Sequence, residues 1–373
     1  MKLLYIITED WFFTSHFLER AIAAKALGYE VAVATRQRGN ASRIESHGIK
    51  VIPIEFSRHG LNPIQEYSTV RQLRRAIRTF DPDIVHNIAL KPVVLGTLAA
   101  RMCRIRNIVN APVGMGYIFS SQDRKAKILR PFIRQIFRVL LNPRGSRVII
   151  ENQDDFESLL SSHFVRKDEL VLIKGAGVDT DAFVPTIEPS GPIVISLIAR
   201  MLKDKGVVEF VSAARLVTKT GVDACFQLIG DIDSGNPSTL EKSQLEVWNR
   251  EGIVIWRGHV SDIPAVLSGS HIVCLPSYRE GLPKSLIEAL AAGRPVVATD
   301  VPGCREVVIH EHNGLLVEPR NPRALADAIQ RLIADKELRI KFGAAGRILA
   351  EHEFSTRHIN SQTLDVYKSF VKR

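Results

Sequence analysis

Two glutamates with seven residues between them, Glu280 and Glu288, are the side chains of this sequence best placed to do chemistry. They lie in the segment 276–295, where a strand pattern, a turn and a helix pattern follow one another. Pro283 suits the first turn of a helix and Gly293 suits its C-cap, so the limits of the helix are marked at both ends. Glu280 therefore falls just before the helix and Glu288 within it.

A helix that begins after a buried strand presents free backbone N–H groups and the positive end of its dipole at its N-terminus. The N–H groups near Gly281 and Leu282 are therefore predicted to bind phosphate oxygens. A phosphate bound there leaves Glu280 and Glu288 for hydroxyl groups on either side. The alternative for each glutamate alone is structural: a dipole partner at the helix start and a solvated helix residue.

The same order of strand and helix recurs along the chain, on both sides of a proline-rich linker at 178–192. Strand patterns occur at 3–7, 30–34, 50–54, 84–86, 106–110, 147–151, 170–173, 193–198, 224–229, 253–256, 271–275 and 295–298. Such alternation predicts βαβ units on parallel sheets, hence an α/β protein with two doubly wound, Rossmann-like domains. We expect the domains to span residues 1–180 and 181–355, followed by a helix within 356–373 that packs at the domain junction. Ligands of such folds bind at the carboxyl ends of the strands, so the cleft where the two domains face each other is the expected active site.

Composition excludes several classes of protein. With 373 residues, 45% of them hydrophobic and 24% charged, the chain is neither disordered nor fibrous, and no apolar run is long enough to span a bilayer. The first apolar run is too short for a signal-peptide core, and acidic residues follow it. The four cysteines are far apart and form no metal-ligand pattern, which is typical of a protein of the reducing cytoplasm.

The positive charge is confined to the first half of the chain. Residues 1–180 hold 27 Lys and Arg against 17 Asp and Glu, whereas residues 181–373 hold 23 of each. Between Arg101 and Arg147 eleven basic residues accompany a single acid, Asp123. This local excess predicts an anionic surface or ligand beside the first domain.

Aromatic and aliphatic residues are mixed with these cations at 124–138, which suits the headgroup boundary of an anionic membrane. The predicted membrane contacts are Lys125, Lys127, Arg130, Phe132, Arg134 and Arg138. The alternative is a core-packed helix with an ordinary basic face. Because compensating acids are lacking, we expect peripheral association with the cytoplasmic face of the inner membrane and an acceptor carried on a lipid.

Glu280 and Glu288, together with the residues that follow them, resemble the E-x7-E signature of the retaining glycosyltransferases of family 4, which have the GT-B fold. The resemblance extends over nearly the whole chain. It includes DWFFTSHF, DIVHNIALKP, GMGYIF, GAGVDTDAF, IARMLKDKGV, AAGRPVVATDVPGCREVV and NGLLVEP. It implies transfer of a sugar from a nucleotide sugar, with UDP favoured, to a lipid-linked saccharide in surface polysaccharide or glycan assembly.

The resemblance also implies roles for the residues of the second domain. Arg200 and Lys205 match the Arg and Lys that grip the donor diphosphate, although a loop charge is the alternative for each. Glu280 would approach the hydroxyls of the donor sugar and Glu288 those of the ribose. The backbone of Gly281 and Leu282 would contact the phosphates. The base would lie near the loop after Trp256, at Gly258, His259 and Val260.

The acceptor half matches the family less well. Family members often carry a histidine where this chain has Val113, so the usual catalytic histidine is missing from that loop. His86 is the catalytic candidate, and His16 is placed with it near the donor sugar or the acceptor hydroxyl, although either could be structural. Lys91 is predicted to bind an acceptor phosphate. Gly114 and Gly116 would line the acceptor side.

The resemblance implies a retaining transfer on one face of the sugar, in which the departing phosphate assists deprotonation of the acceptor. No cofactor or metal is expected, because the cations would stabilise the leaving group. The sequence Asp231-Ile232-Asp233 resembles a metal-binding DxD motif but is interpreted as a turn. Two alternatives stay open: a sugar-nucleotide 2-epimerase of the same fold, and a basic nucleic-acid-binding protein, for which no recognised motif is present.

Overall fold

A computed structural model describes residues 1–56, 62–113 and 135–370 of the chain. These residues divide into two compact units: unit 1 comprises 1–176 together with 356–373, and unit 2 comprises 177–355. The sequence placed the boundary at 180/181. The difference has a physical cause, because the proline-rich segment is packed onto unit 2: Val178 is buried, and Glu188 forms an ion pair with Arg339 at 2.7 Å.

Unit 1 is built on a seven-stranded parallel sheet, ordered β3-β2-β1-β4-β5-β6-β7. Its strands are β1 Lys2–Glu9, β2 Glu30–Arg36, β3 Lys50–Pro53, β4 Ile84–Ile88, β5 Ile108–Ala111, β6 Arg147–Ile150 and β7 Leu170–Leu172. Its helices are α1 Asp10–His16, α2 Leu18–Ala26, α3 Ala41–Glu45, α4 Pro63–Phe80, α5 Leu90–Met102 and α6 Gln153–Ser161, and residues 135–140 are also helical.

Unit 2 is built on a six-stranded parallel sheet, ordered β10-β9-β8-β11-β12-β13. Its strands are β8 Ile193–Ile198, β9 Ala224–Ile229, β10 Ile255–Trp256, β11 Ile272–Leu275, β12 Val296–Thr299 and β13 Gly314–Val317. Its helices are α7 Val207–Thr218, α8 Lys242–Arg250, α9 Ile263–Ser268, α10 Lys284–Ala291, α11 Cys304–Val307, α12 Pro322–Ala334 and α13 Lys336–Glu353, with a 3₁₀ turn at Lys203–Lys205.

The last helix, α14 Thr356–Lys368, belongs to unit 1 although it follows unit 2 in sequence. Its apolar side chains, among them Ile359 and Tyr367, join the core that covers one face of the first sheet. The sequence predicted this helix, and its packing at the domain junction stays a prediction. Within the described residues, no helix is both long enough and apolar enough to cross a bilayer.

Candidate functional site

The carboxyl ends of the strands of unit 2 carry the charged residues singled out by the sequence. Arg200 follows β8, His259 follows β10 and Glu280 follows β11. Because β10, β9, β8 and β11 are neighbouring parallel strands, these three loops emerge from one edge of the sheet. Topology therefore brings together residues that are 80 positions apart in sequence.

Lys205 and Glu280 form the best defined contact at this edge. The Lys205 ammonium donates to both carboxylate oxygens of Glu280, at 2.6 and 2.8 Å, and the Ser277 hydroxyl donates to one of them at 2.6 Å. The Glu280 side chain is only 9% exposed and that of Lys205 is 22% exposed. Both groups are thus held in fixed positions yet remain within reach of solvent.

Close backbone packing brings these two side chains together. Gly206, which follows Lys205, has φ +71°, and a Cβ there would lie 2.0 Å from the carbonyl oxygen of Pro276. The Tyr278 N–H also donates to the Asp204 carbonyl at 2.9 Å. Only glycine combines this conformation with so close an approach. The loop after β8 therefore lies directly on the loop after β11.

Arg200 pairs with an acid that sequence reasoning had not assigned to the site. Its guanidinium donates to Asp233 at 2.6 Å, with the Arg200 side chain 44% exposed and that of Asp233 10% exposed. Asp233 does lie in a turn, as predicted, since its carbonyl accepts from the Asn236 N–H at 2.7 Å. Because Asp231 and Asp233 are two positions apart, the sequence suggested a comparison with a metal-binding motif. The ion pair between Asp233 and Arg200 was not predicted.

The start of α10 lies beside Glu280. Pro283 occupies the N-cap and provides no side-chain cap. Gly303, with φ +80°, packs against the preceding loop so closely that a Cβ would lie 2.4 Å from the Gly281 carbonyl oxygen. The half-buried Gly281 and Leu282 thus join the end of β11 to the positive end of a helix. This arrangement suits the binding of phosphate oxygens.

Glu288 lies on the buried face of α10 and is 9% exposed. Burial raises the pKa of its carboxyl group, and Lys284, whose ammonium lies 3.3 Å away, opposes that rise. A carboxylate in such surroundings is stabilised by hydroxyl donors. The ribose contact predicted for Glu288 stays a prediction.

The loop after β10 contains Gly258, His259 and Val260. The Gly258 carbonyl accepts from the Gly230 N–H at 2.7 Å, which ties this loop to the end of β9. His259 is exposed and Val260 is half-buried. The loop is therefore near the Arg200 loop, because Ala199 also bonds to the end of β9. The base contact proposed for it stays a prediction.

Two protein-family models match this chain, one in each half. Residues 179–348 match the model described as glycosyl transferases group 1, and residues 2–153 match that described as glycosyl transferase 4-like. The N,N'-diacetylbacillosaminyl-diphospho-undecaprenol alpha-1,3-N-acetylgalactosaminyltransferase of Campylobacter jejuni is 30% identical over 83% of this chain and 84% of its own. The chain belongs to the family 4 glycosyltransferases. It is accordingly a retaining glycosyltransferase, as the sequence predicted.

Other relatives agree with this assignment. The capsular polysaccharide biosynthesis glycosyltransferase CapM of Staphylococcus aureus is 31% identical over 82% of each chain. Among solved structures, the Anabaena protein Alr3699/HepE in complex with UDP superimposes with a TM-score of 0.79 at 20% identity, over 99% of this chain and 100% of that one. The likeness shows that this glycosyltransferase has two Rossmann-like domains of the GT-B type, which confirms the predicted fold.

His86, the predicted catalytic histidine of this glycosyltransferase, has a structural position instead. Its ring is fully buried in the middle of β4, which runs two residues past the predicted strand end, and its Nδ1 lies 2.7 Å from the hydroxyl of Tyr367 on α14. The same hydroxyl lies 2.9 Å from that of Tyr5. Burial, with Arg20 nearby, lowers the pKa of His86 to about 3. The prediction that His86 contacts a substrate does not fit a neutral side chain that is sealed beneath the last helix.

The other acceptor-side candidates of the glycosyltransferase have partners of their own. His16 ends α1, half-exposed, with its ring centroid 4.4 Å from that of Phe12. Lys91, in the first turn of α5, lies 2.6 Å from the Glu66 carboxylate. The acceptor roles of both residues stay predictions.

Several predicted residues lie outside the described part of the chain. These are Gly114 and Gly116 of the acceptor side and Lys125, Lys127, Arg130, Phe132 and Arg134 of the membrane contact. Arg138 is described: it is exposed, and its guanidinium lies 5.9 Å above the ring of Phe164.

Sequence reasoning missed two side chains that hold the charged groups of the glycosyltransferase in place, Ser277 and Asp233. The separation of three residues between Ser277 and Glu280 was a usable signal, because a short polar side chain so close in sequence can bond to the carboxylate. No local signal connects Asp233 to Arg200, which is 33 residues away.

Proposed function

We propose that this glycosyltransferase transfers a sugar from a UDP-sugar to a saccharide carried on a polyprenyl diphosphate during surface polysaccharide or glycan assembly. The proposed binding of the donor rests on the contact of Lys205 with Glu280 beside the start of α10. A cation, a carboxylate and a helix N-terminus lie together there, and these are the groups that a sugar diphosphate requires, which supports the proposal. The acceptor half rests on the names of relatives that act on diphospho-undecaprenol substrates.

In the proposed reaction, Lys205 and Arg200 bind the two phosphate groups of the donor. Negative charge grows on the diphosphate as the bond between the anomeric carbon and the phosphate oxygen breaks, and the fixed cations stabilise that charge more than the ground state. Glu280 accepts hydrogen bonds from the sugar hydroxyls and keeps Lys205 in place. The side chains of Arg200 and Lys205 remain 44% and 22% exposed beside their acids, so each cation can turn towards a phosphate group with a small movement.

The acceptor hydroxyl attacks the anomeric carbon from the face that the phosphate leaves. Its oxygen forms the new glycosidic bond, and its proton passes to the departing phosphate oxygen, so that UDP and the elongated saccharide are the products. This route needs no protein base, which agrees with the burial of His86. Positioning and charge stabilisation supply the catalysis.

The proposal requires no metal ion, because Arg200 and Lys205 provide the positive charge at the leaving group. We expect transfer to proceed at full rate after treatment with EDTA. Restoration of a lost activity by Mg²⁺ or Mn²⁺ would contradict this part of the proposal.

We also propose that the enzyme works at the cytoplasmic face of the inner membrane, with the basic residues between Arg101 and Arg147 turned towards anionic lipid and nucleic acid not bound. Arg101, Arg104, Arg106 and Arg138 are exposed, which supports this placement. Recovery of the protein with washed membranes at low salt, and its release at high salt, is the expected result.

The test of the proposed function is a screen of nucleotide sugars with polyprenyl-diphosphate saccharides, reading sugar incorporated into the lipid fraction and UDP released. We expect release of UDP only when acceptor is added. Interconversion of the donor without acceptor would indicate the epimerase instead. No turnover with any UDP-sugar, but turnover with another nucleotide, would overturn the choice of base.

A further inference from the structure

The solvent-facing side of α4 carries a continuous stripe of unusual composition. Ile64, Tyr67, Arg71, Arg75 and Arg78 follow one another at intervals of three or four residues, which places them on one face of the helix. Ile64 is 79% exposed and Tyr67 is 67% exposed. The opposite face is anchored in the core of unit 1 through Val70, Leu73, Ala76, Ile77 and Phe80.

Charge on this helix is almost entirely positive. Four arginines, Arg71, Arg74, Arg75 and Arg78, accompany a single acid, Glu66, which is already paired with Lys91. Within residues 1–56, 62–113 and 135–370, none of the four guanidinium groups has an ion-pair partner, and the Nε of Arg74 is buried without a hydrogen bond. Like charges three and four residues apart destabilise a helix. The helix thus retains a repulsive arrangement that an anionic ligand would relieve.

The arginines border an open depression on the surface of the helix. This depression has a volume of about 230 Å³ and is lined by Arg71, Arg74, Arg75, Arg78 and Thr79. That volume is several times the roughly 30 Å³ that one water molecule occupies in the liquid, so a phosphate group fits. Guanidinium groups bind phosphate oxygens through paired N–H donors, which makes arginine the preferred side chain for this task.

We propose that the arginine stripe, defined as Ile64, Tyr67, Arg71, Arg75 and Arg78, binds the phosphate groups of anionic phospholipids at a bilayer surface. A tyrosine and an isoleucine at one end of a row of arginines suit the boundary between headgroups and acyl chains. The neighbouring helix α5 adds the exposed apolar side chains of Leu98 and Met102. This inference deepens the membrane association proposed above, and it concerns residues outside the basic segment that suggested it.

The experiment measures binding of the full-length protein to vesicles of phosphatidylglycerol and phosphatidylcholine in equal parts, and to vesicles of phosphatidylcholine alone. The test variant combines Arg71→Gln, Arg75→Gln and Arg78→Gln. Each basic residue near an anionic surface strengthens binding about fivefold, so we expect the partition coefficient on the anionic vesicles to fall by roughly 100-fold. The melting temperature should hold or rise, because the substitutions remove like-charge pairs from a helix that tolerates glutamine.

A matched control removes the same charge from exposed positions of unit 2, through Lys219→Gln, Arg250→Gln and Arg323→Gln. The control should keep most of the vesicle binding. Equal losses in the two triple variants would overturn the proposal, since net charge alone would then explain them. Undiminished binding of the stripe variant would also overturn it.

Two further arms separate this inference from the proposed function. Phosphatidylcholine vesicles that contain a polyprenyl diphosphate should not bind the wild-type protein as the anionic vesicles do. Stripe-dependent binding to them alone would assign the arginines to the acceptor and reject phospholipid. Sugar transfer to a detergent-solubilised acceptor should be retained by the stripe variant, whereas absence of transfer in the wild-type protein would count against the proposed function and leave the vesicle result standing.

Discussion

The parallel sheets of the two units hold their polar residues in opposite surroundings. In unit 2, Lys205 and Arg200 meet acids contributed by other loops and remain partly exposed. In unit 1, His86 lies in the middle of β4, fully buried beneath α14 and bonded to Tyr367. A polar residue beyond the end of its strand can therefore serve a ligand site, whereas one within the strand is covered by the helices that pack on the sheet.

The energetic consequences of the two surroundings differ accordingly. A half-exposed ion pair such as Arg200–Asp233 contributes little to stability, so its partners can be redirected to a ligand at small cost. A buried hydrogen-bonded group costs much more to disturb, because its partners lose their bonds without gaining water. Substitutions at the edge of unit 2 should therefore affect catalysis, and those around His86 should affect stability.

The largest effect is expected at Lys205. We predict that Lys205→Ala lowers the turnover number by about 10² to 10³-fold, the usual cost of losing a group that stabilises a developing negative charge. Glu280→Ala should also reduce turnover, through loss of the sugar contact. Lys203→Ala, an exposed lysine of the same 3₁₀ turn, is the matched control and should retain activity. Unchanged turnover in the first two variants would reject the site.

Gly206 tests whether close loop packing supports the site. Gly206→Ala introduces a Cβ 2.0 Å from the Pro276 carbonyl oxygen at a φ of +71°, so we expect a loss of about 3 kcal/mol in the free energy of unfolding of unit 2. Gly221→Ala has nearly the same φ, +76°, and open space around it, so it should cost only about 1 kcal/mol. Urea denaturation measures both, and equal costs would contradict the packing argument.

Substitution of Tyr367 tests whether the buried cluster around His86 in unit 1 is structural. Tyr367→Phe removes the hydroxyl that bonds to His86 and Tyr5, and we expect a loss of about 1 to 2 kcal/mol in stability with transfer activity retained. Tyr67→Phe, at an exposed position, should leave stability unchanged. A large loss of activity in the folded Tyr367→Phe protein would indicate that this cluster takes part in catalysis.

The smallest effect concerns pH. The pKa of His86 falls to about 3 in the folded chain, from 6.5 in the unfolded chain, so only the unfolded state takes up this proton between those values. Stability is therefore lost as pH falls, by about 1 kcal/mol between pH 7.0 and 5.5 from this group. Burial raises the pKa of Glu151 to about 7, which acts in the opposite direction.

The contribution of His86 is isolated by comparing the stability curves of wild type and His86→Asn over this pH range. The variant should lose less stability on acidification. Parallel curves would show that His86 is not the buried neutral group described.

Local signals predicted much of the second unit. Pro283 and Gly293 fixed α10 to within one residue, since the sequence gives Lys284 to Ala292 and the structure Lys284–Ala291. Strand β13, Gly314–Val317, was not predicted because four residues beginning with glycine provide almost no period. Its glycine is required by tertiary packing, as a Cβ would lie 2.4 Å from the Val296 carbonyl oxygen.

Local sequence patterns identified the candidate residues of unit 2 but not the surroundings of His86. Arg200, Lys205 and Glu280 were singled out because they lie in contiguous segments that resemble the motifs of the family, and their roles stay predictions. The burial of His86 was not predicted, because Tyr367, which covers it, is 281 positions away. No sequence pattern around Tyr367 indicates this contact. Burial of a polar group by a distant segment is a tertiary property that local periodicity does not encode.

The most direct test of the central claim is the affinity of UDP and of uridine, measured by calorimetry on wild type, on Lys203→Ala and on the combined Arg200→Ala and Lys205→Ala variant. If the two cations hold the diphosphate, wild type and Lys203→Ala bind UDP far more tightly than uridine, and the double variant loses that preference. A double variant that still prefers UDP as strongly as wild type does would contradict the claim.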